Sequence, residues 1–209
     1  MSRILLIILF LANFYTYSFA AVGCSLDDPD RDVKRLFPES SGYKTTFVTL
    51  KEIGAEALQK EIEEKLGDRF ELVYENLDVP YAYYTILKGK QIIGYIHGVN
   101  QKGKYGGLQL VLATDLKGKI LAFYYQRISS PESAKFRDNA FTGQFKGLSL
   151  EDFYQYDISG DNTKEGRVAE IADPSKDSHE DFKATLRGIK KNLILLDEFL
   201  RAQVNKGGK

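Results

Sequence analysis

Tyr81-Ala82-Tyr83-Tyr84-Thr85-Ile86-Leu87-Lys88-Gly89-Lys90-Gln91-Ile92-Ile93-Gly94-Tyr95-Ile96-His97-Gly98-Val99 is two runs rich in aromatic and β-branched residues around one short polar turn. Such runs favour strands, and a turn as short as Lys88-Gly89-Lys90 can join only antiparallel neighbours. The pattern repeats on both sides. Arg69 to Glu75, Gly107 to Thr114 and Ile120 to Gln126 read as further strands, with turns at Gln101–Lys104 and Asp115–Lys119. A shorter strand, Gly166 to Ile171, is expected to rejoin the sheet.

Helices are expected at both ends of this meander. Thr49 and Glu52 have capping-box spacing, Ile53, Leu58, Ile62 and Leu66 line one face, and Gly67 supplies a stop. Near the C-terminus Phe182, Thr185, Ile189, Leu193, Leu196 and Leu200 recur at three- and four-residue intervals. The expected class is α+β, an antiparallel meander packed against an N-terminal and a C-terminal helix. The segment from Gln126 to Val168 lacks strong period. It reads either as a functional loop or as a pair of short helices over the sheet.

The N-terminus indicates export. Met1-Ser2-Arg3 is a short basic start, Ile4 to Ala12 is apolar, and small residues follow. Ser18-Phe19-Ala20 suits cleavage before Ala21, whereas Ala21-Val22-Gly23-Cys24 resembles a lipobox that would make Cys24 a lipidated first residue. Cys24 is the one cysteine in the chain, which excludes an internal disulfide and fits lipidation. An uncleaved span is the third reading, since residues 4–23 are long enough to cross a bilayer. All three place the remainder in the cell envelope, on the periplasmic side. The expected organisation is a signal peptide over 1–23, a solvated tether over 24–42 that includes the Asp-rich Asp27–Asp32, and one domain over 43–205.

Charge and composition exclude other classes. Loss of Arg3 with the signal leaves 28 basic against 29 acidic side chains, which gives no case for nucleic acid. With His97 and His179 the only histidines, a histidine-rich metal site is excluded and a Ser-His-Asp triad has little to draw on. His97 reads as structural within its strand, and Lys190 and Lys191 read as the solvated face of the last helix.

Thr185 stands out, because a hydroxyl on the packed stripe of a helix needs a partner. It can bond back to the helix backbone or meet a ligand. The order Lys104-Tyr105-Gly106-Gly107, a strand, Asp115 to Lys119, a strand, Ser129-Ser130-Pro131, Phe141-x-x-Gln144-Phe145-x-Gly147 and finally Ala184-Thr185 resembles the FMN-binding domain family. That domain occurs in the G subunit of Rnf electron-transport complexes and the C subunit of sodium-pumping NADH:quinone oxidoreductase. The resemblance covers roughly residues 90 to 200.

It implies a membrane-tethered electron carrier holding FMN through a phosphoester bond that a flavin transferase makes, with membrane electron-transport subunits as partners. Thr185 would carry the ester. Whether FMN is bound covalently or noncovalently near Thr185, Lys183 and Arg187 would hold the phosphate, Ala184 would stand beside the threonine in the binding motif, and Tyr105, Gly106, Gly107, Ser129, Ser130, Phe141, Gln144 and Phe145 would complete the cofactor site. The chain departs from the family at Lys183, where a glycine is usual, and at His179, where an acid is usual. A flavin-free relative acting as an envelope scaffold or binding module is the alternative. Ser178-x-x-Asp181 is a possible capping box, and a helix starting there would put Thr185 in its second turn, away from the free N–H groups that bind phosphate.

Overall fold

The computed structural model describes residues 23–71, 73–158 and 165–207. The expected meander is present. Strands β3 (Tyr81–Lys88), β4 (Gln91–Lys102), β5 (Gly107–Thr114) and β6 (Ile120–Ile128) are antiparallel and follow one another in space. Two strands come from the segment before them. β2 (Gly42–Val48) pairs along the outer edge of β3, from Gly42 opposite Leu87 to Val48 opposite Tyr81. The two-residue β1 (Gly23–Cys24) pairs with β4, Gly23 opposite Val99 and Cys24 opposite Gly98. The class is α+β.

The expected tether is folded. Residues Pro29–Leu36 form α1, capped by the Asp28 side chain, which accepts from Arg31 N–H at 3.1 Å. Aspartates that suggested solvation instead serve the helix start, where acidic groups favour the free N–H ends. Asp32 is buried and accepts from the Tyr124 hydroxyl at 3.0 Å. Leu26, Val33 and Phe37 pack on Ala82, Tyr84, Ile86, Ile96, Val111 and Ala113 to make a small core on one face of the sheet, the α1 face. Gly94 makes room for this layer, since a Cβ there would come within 2.7 Å of the Phe37 ring and strike Thr114 O.

The predicted first helix is two. Thr49 and Glu52 form the capping box of α2 (Leu50–Ile53), and α3 (Ala55–Leu66) follows after the chain turns at Ala55, φ 50°. Arg69 to Glu75 is not a strand. The Glu71 carbonyl accepts locally from both Tyr74 N and Glu75 N, and β2 already holds the free edge of β3. Gly166 to Ile171 is likewise a pair of turns, in which Ala169 N donates to Gly166 O and Ile171 N to Val168 O.

The aperiodic middle resolves toward short helices. α4 (Ser133–Arg137), α5 (Asn139–Thr142) and a 3₁₀ turn at Gly143–Phe145 drape over β6, α6 (Leu150–Tyr154) packs on the C-terminal helix, and together they bury Phe136, Phe141, Phe145 and Phe153. The chain ends in α7 (His179–Gly207), 29 residues or about 43 Å of helix, entered through a 3₁₀ turn at Lys176–Ser178. It crosses the other face of the sheet. Gly188 sets the closeness of that contact, because a Cβ there would collide with Leu110 of β5. Among the described residues no helix is long and apolar enough to cross a membrane. The signal-peptide reading of residues 1–22 lies outside the described residues, as does the Cys24 side chain on which lipidation rests.

Candidate functional site

Because α7 is already helical at His179, Thr185 sits in its second turn and faces the sheet, fully buried. Its hydroxyl donates to Asp181 O, one turn back, at 2.7 Å. The same oxygen lies 2.7 Å from the Tyr125 hydroxyl of β6 and accepts from it. Burial pushes the Tyr125 hydroxyl's pKa up, so it stays protonated and able to donate. The Asp181 carboxylate, also buried, accepts from Lys104 N at 2.7 Å through Oδ1, and its Oδ2 has no partner among the described residues. A phosphate on Thr185 would therefore lose two hydrogen bonds and bring negative charge toward Asp181.

The cations expected around Thr185 are committed elsewhere. Arg187 is buried and donates to Asp68 at 2.7 Å, to Glu75 at 3.1 Å, to Gln101 at 2.7 Å and to Arg69 O at 2.9 Å. Lys191, one turn on, is buried against the same Glu75 carboxylate and donates to Asn100 O at 2.7 Å. Burial disfavours both charges. For Arg187 the Glu75 and Asp68 carboxylates outweigh it and hold the pKa up. For Lys191 burial and the neighbouring guanidinium win over Glu75, pushing the ammonium down to about 8. Lys190 is buried too and donates to Tyr156 O at 3.2 Å, so the expected solvated face is an interior one.

A second polar core lies further along α7. His97 of β4 is buried, with Nδ1 2.8 Å from Asn192 Oδ1. Asn192 Nδ2 donates to His97 O at 3.0 Å and to Leu110 O at 3.3 Å, which leaves its Oδ1 to accept and places the imidazole proton on Nδ1. Nε2 is bare among the described residues, beside the rings of Tyr81 and Phe199. Burial pushes this histidine down to about 4, so it is neutral near pH 7. The structural role expected for His97 fits this setting.

The other predicted contacts fall in separate places. Tyr105 and Gly106 lie in the β4–β5 turn and Gly107 opens β5, where Ser129 donates to Gly107 O at 3.3 Å. Ser130 is buried and donates to the Ser178 hydroxyl at 3.4 Å. Phe141 and Phe145 pack edge to face with each other, and Phe145 packs in the same way on Phe123, inside the core. Gln144 clamps the backbone of Ala172, accepting from its N–H at 2.7 Å. Lys183, Ala184 and Arg187 share a shallow cleft of about 350 Å³ with Glu71, Lys102, Lys104 and Glu180. These residues do not fit an FMN ester at Thr185: the hydroxyl is sealed, the arginine is spent and the aromatic rings stack on one another.

A second concavity, about 330 Å³, opens at the other end of the sheet. Leu193, Leu196 and Leu200 of α7, Leu150 and Tyr154 of α6, Tyr95 of β4 and the β5–β6 turn line it, with Asp197 and Arg201 at one side. Burial pushes the Asp197 carboxyl up despite its ion pair with Arg201 at 2.6 Å. Glu75, Asn192 and this groove were not foreseen from the sequence. The available signal was Gly188 in mid-helix, which marks close approach of α7 to the sheet. Among the described residues no cluster of His, Cys, Asp and Glu could hold a metal. No family model matches the chain, and no characterised protein matches it either. Function is therefore read from the chemistry of the sites themselves.

Proposed function

We propose that this chain is an exported, membrane-anchored module of the cell envelope that works without flavin, as a scaffold or binding domain. The observation carrying this reading is the Thr185 hydroxyl, buried and bonded to both Asp181 O and the Tyr125 hydroxyl. A carrier that holds its flavin by an ester at Thr185 needs that oxygen accessible to a transferase. The groove between α6, α7 and the β5–β6 turn is the surface through which the module takes a partner, since it is concave and sets leucines and tyrosines beside charged groups, Asp115, Lys117, Glu151, Asp197 and Arg201, that can orient what binds.

One observation favours a second reading. The cleft over Lys183 and Ala184 gathers Lys102 and Lys104 beside them, lysines that can meet the phosphate of a noncovalently held FMN although Asp68, Glu71 and Glu180 share the lining. In that reading the flavin supplies the redox chemistry, and the lysines only bind and orient it. Expressing the full chain in a bacterial host with a flavin transferase separates the two, by absorbance and by fluorescence after acid precipitation. Colourless protein that added FMN does not load is the expected result. Flavin released by acid would establish the noncovalent carrier. Flavin that survives acid, and is lost in Thr185→Ala, would overturn the flavin-free reading altogether.

A further inference from the structure

We infer that the domain rests on the lipid surface through the β4–β5 turn and the adjoining Val73 and Tyr74, which leaves the α6–α7 groove facing away from the membrane. This rests on the anchored reading proposed above, in the form that keeps residues 4–23 as an uncleaved span. The direction comes from register. β1 is antiparallel to β4 with Gly23 opposite Val99 and Cys24 opposite Gly98, so the N-terminal side of β1 points toward Lys102, the last residue of β4. The 22 residues preceding β1, with the apolar run Ile4 to Ala12, therefore join the domain from that end. Beyond β1 the chain is held to the fold. Ser25 O accepts from Gln126 at 2.9 Å, Leu26 N donates to the Tyr84 hydroxyl at 3.0 Å, and Asp27 N donates to Gln126 at 3.2 Å.

The surface at that end has the composition an interface favours. Tyr105 is 46% exposed and Val73 65% exposed. The Lys104 ammonium stands 5.2 Å from the centre of the Tyr105 ring, and Lys102 lies 3.6 Å from Glu71. Tyr74 approaches Gly107 closely enough to bring the two loops together, since a Cβ on that glycine would lie 3.8 Å from its ring. An exposed tyrosine with lysines beside it suits the headgroup layer, where the ring sits at the boundary and ammonium groups meet lipid phosphates. The opposite end carries Leu116, 58% exposed in the β5–β6 turn. Eight residues of β5 separate the two ends by roughly 24 Å, so a flat membrane touching one does not reach the other.

The chain has no tryptophan, which makes each introduced one a unique reporter. Full-length Val73→Trp, Tyr105→Trp and Leu116→Trp proteins, reconstituted into vesicles of phosphatidylethanolamine and phosphatidylglycerol, are compared with and without brominated lipid. The expected result is blue-shifted emission and its loss to bromine at positions 73 and 105, with position 116 unaffected. Protein that floats with the vesicles yet is quenched at 116, or at none of the three, overturns the orientation while keeping the anchor. Protein that fails to float overturns the anchored reading and the orientation with it.

Discussion

On the face covered by α7, the sheet meets a helix that brings Thr185, Arg187, Lys191 and Asn192 into the interior, whereas on the face covered by α1 it meets chiefly Leu26, Val33 and Phe37. The first face specifies its geometry through polar groups that each have one set of partners: Glu75 for Arg187 and Lys191, His97 for Asn192. The second relies mainly on area and shape. A polar interior gains little net stability from its bonds but loses much when one member is removed, because the survivors are left buried and unpaired. An apolar layer loses in proportion to what is cut away. The two faces should therefore fail differently.

The largest effect is expected at Glu75. Glu75→Ala leaves the Arg187 guanidinium and the Lys191 ammonium facing each other in the interior, at a cost of about 3–5 kcal/mol. Urea unfolding of the full chain in detergent measures this. A loss under 1 kcal/mol would mean that water reaches the cluster and that the α7 face is not the rigid one. Titration of His97 comes next. Its folded pKa, about 4, lies below the unfolded value of 6.5, so the unfolded chain binds the proton first as pH falls. Stability from this group is complete above pH 6.5 and is lost progressively toward pH 4, amounting to about 3 kcal/mol. His97→Gln should flatten that acid limb in unfolding midpoints measured between pH 4 and 7. An unchanged slope would place the proton uptake elsewhere.

How much of this was legible in the sequence follows the same division. The meander between Tyr81 and Gln126 was readable because its strands are bounded by tight turns, and the capping box at Thr49 because both partners are three residues apart. Thr185 was readable as a buried hydroxyl from helical spacing, and one of its two foreseen partners, the carbonyl at Asp181, is the one found. Tyr125 and Glu75 were not readable, since 60 and 112 residues separate them from Thr185 and Arg187, and no local period reports such a contact. Nor was the edge strand β2, whose alternation is broken by Lys44, Thr45 and Thr46. Charge misled in two places. Lys191 and Asp32 look solvated by residue type alone, and both are buried because a partner distant in sequence waits for them.

The sharpest discrimination between the faces comes from the smallest effect, at Val33. As part of a solvated tether this valine would be indifferent to truncation, and Val33→Ala would even favour the helix by about 0.6 kcal/mol through propensity. Packed on the sheet beneath α1, it instead loses two methyl-sized groups of buried surface and leaves a small cavity, costing about 2 kcal/mol. The two contributions oppose each other, and burial is the larger. A net loss of about 1–1.5 kcal/mol is expected in urea unfolding, with the acid limb of His97 unchanged because that side chain lies on the other face. A gain would return residues 24–42 to the status of a linker. It would also loosen β1, whose pairing with β4 sets the direction of the domain's orientation, since the hydrogen bonds of Ser25, Leu26 and Asp27 belong to the same folded segment.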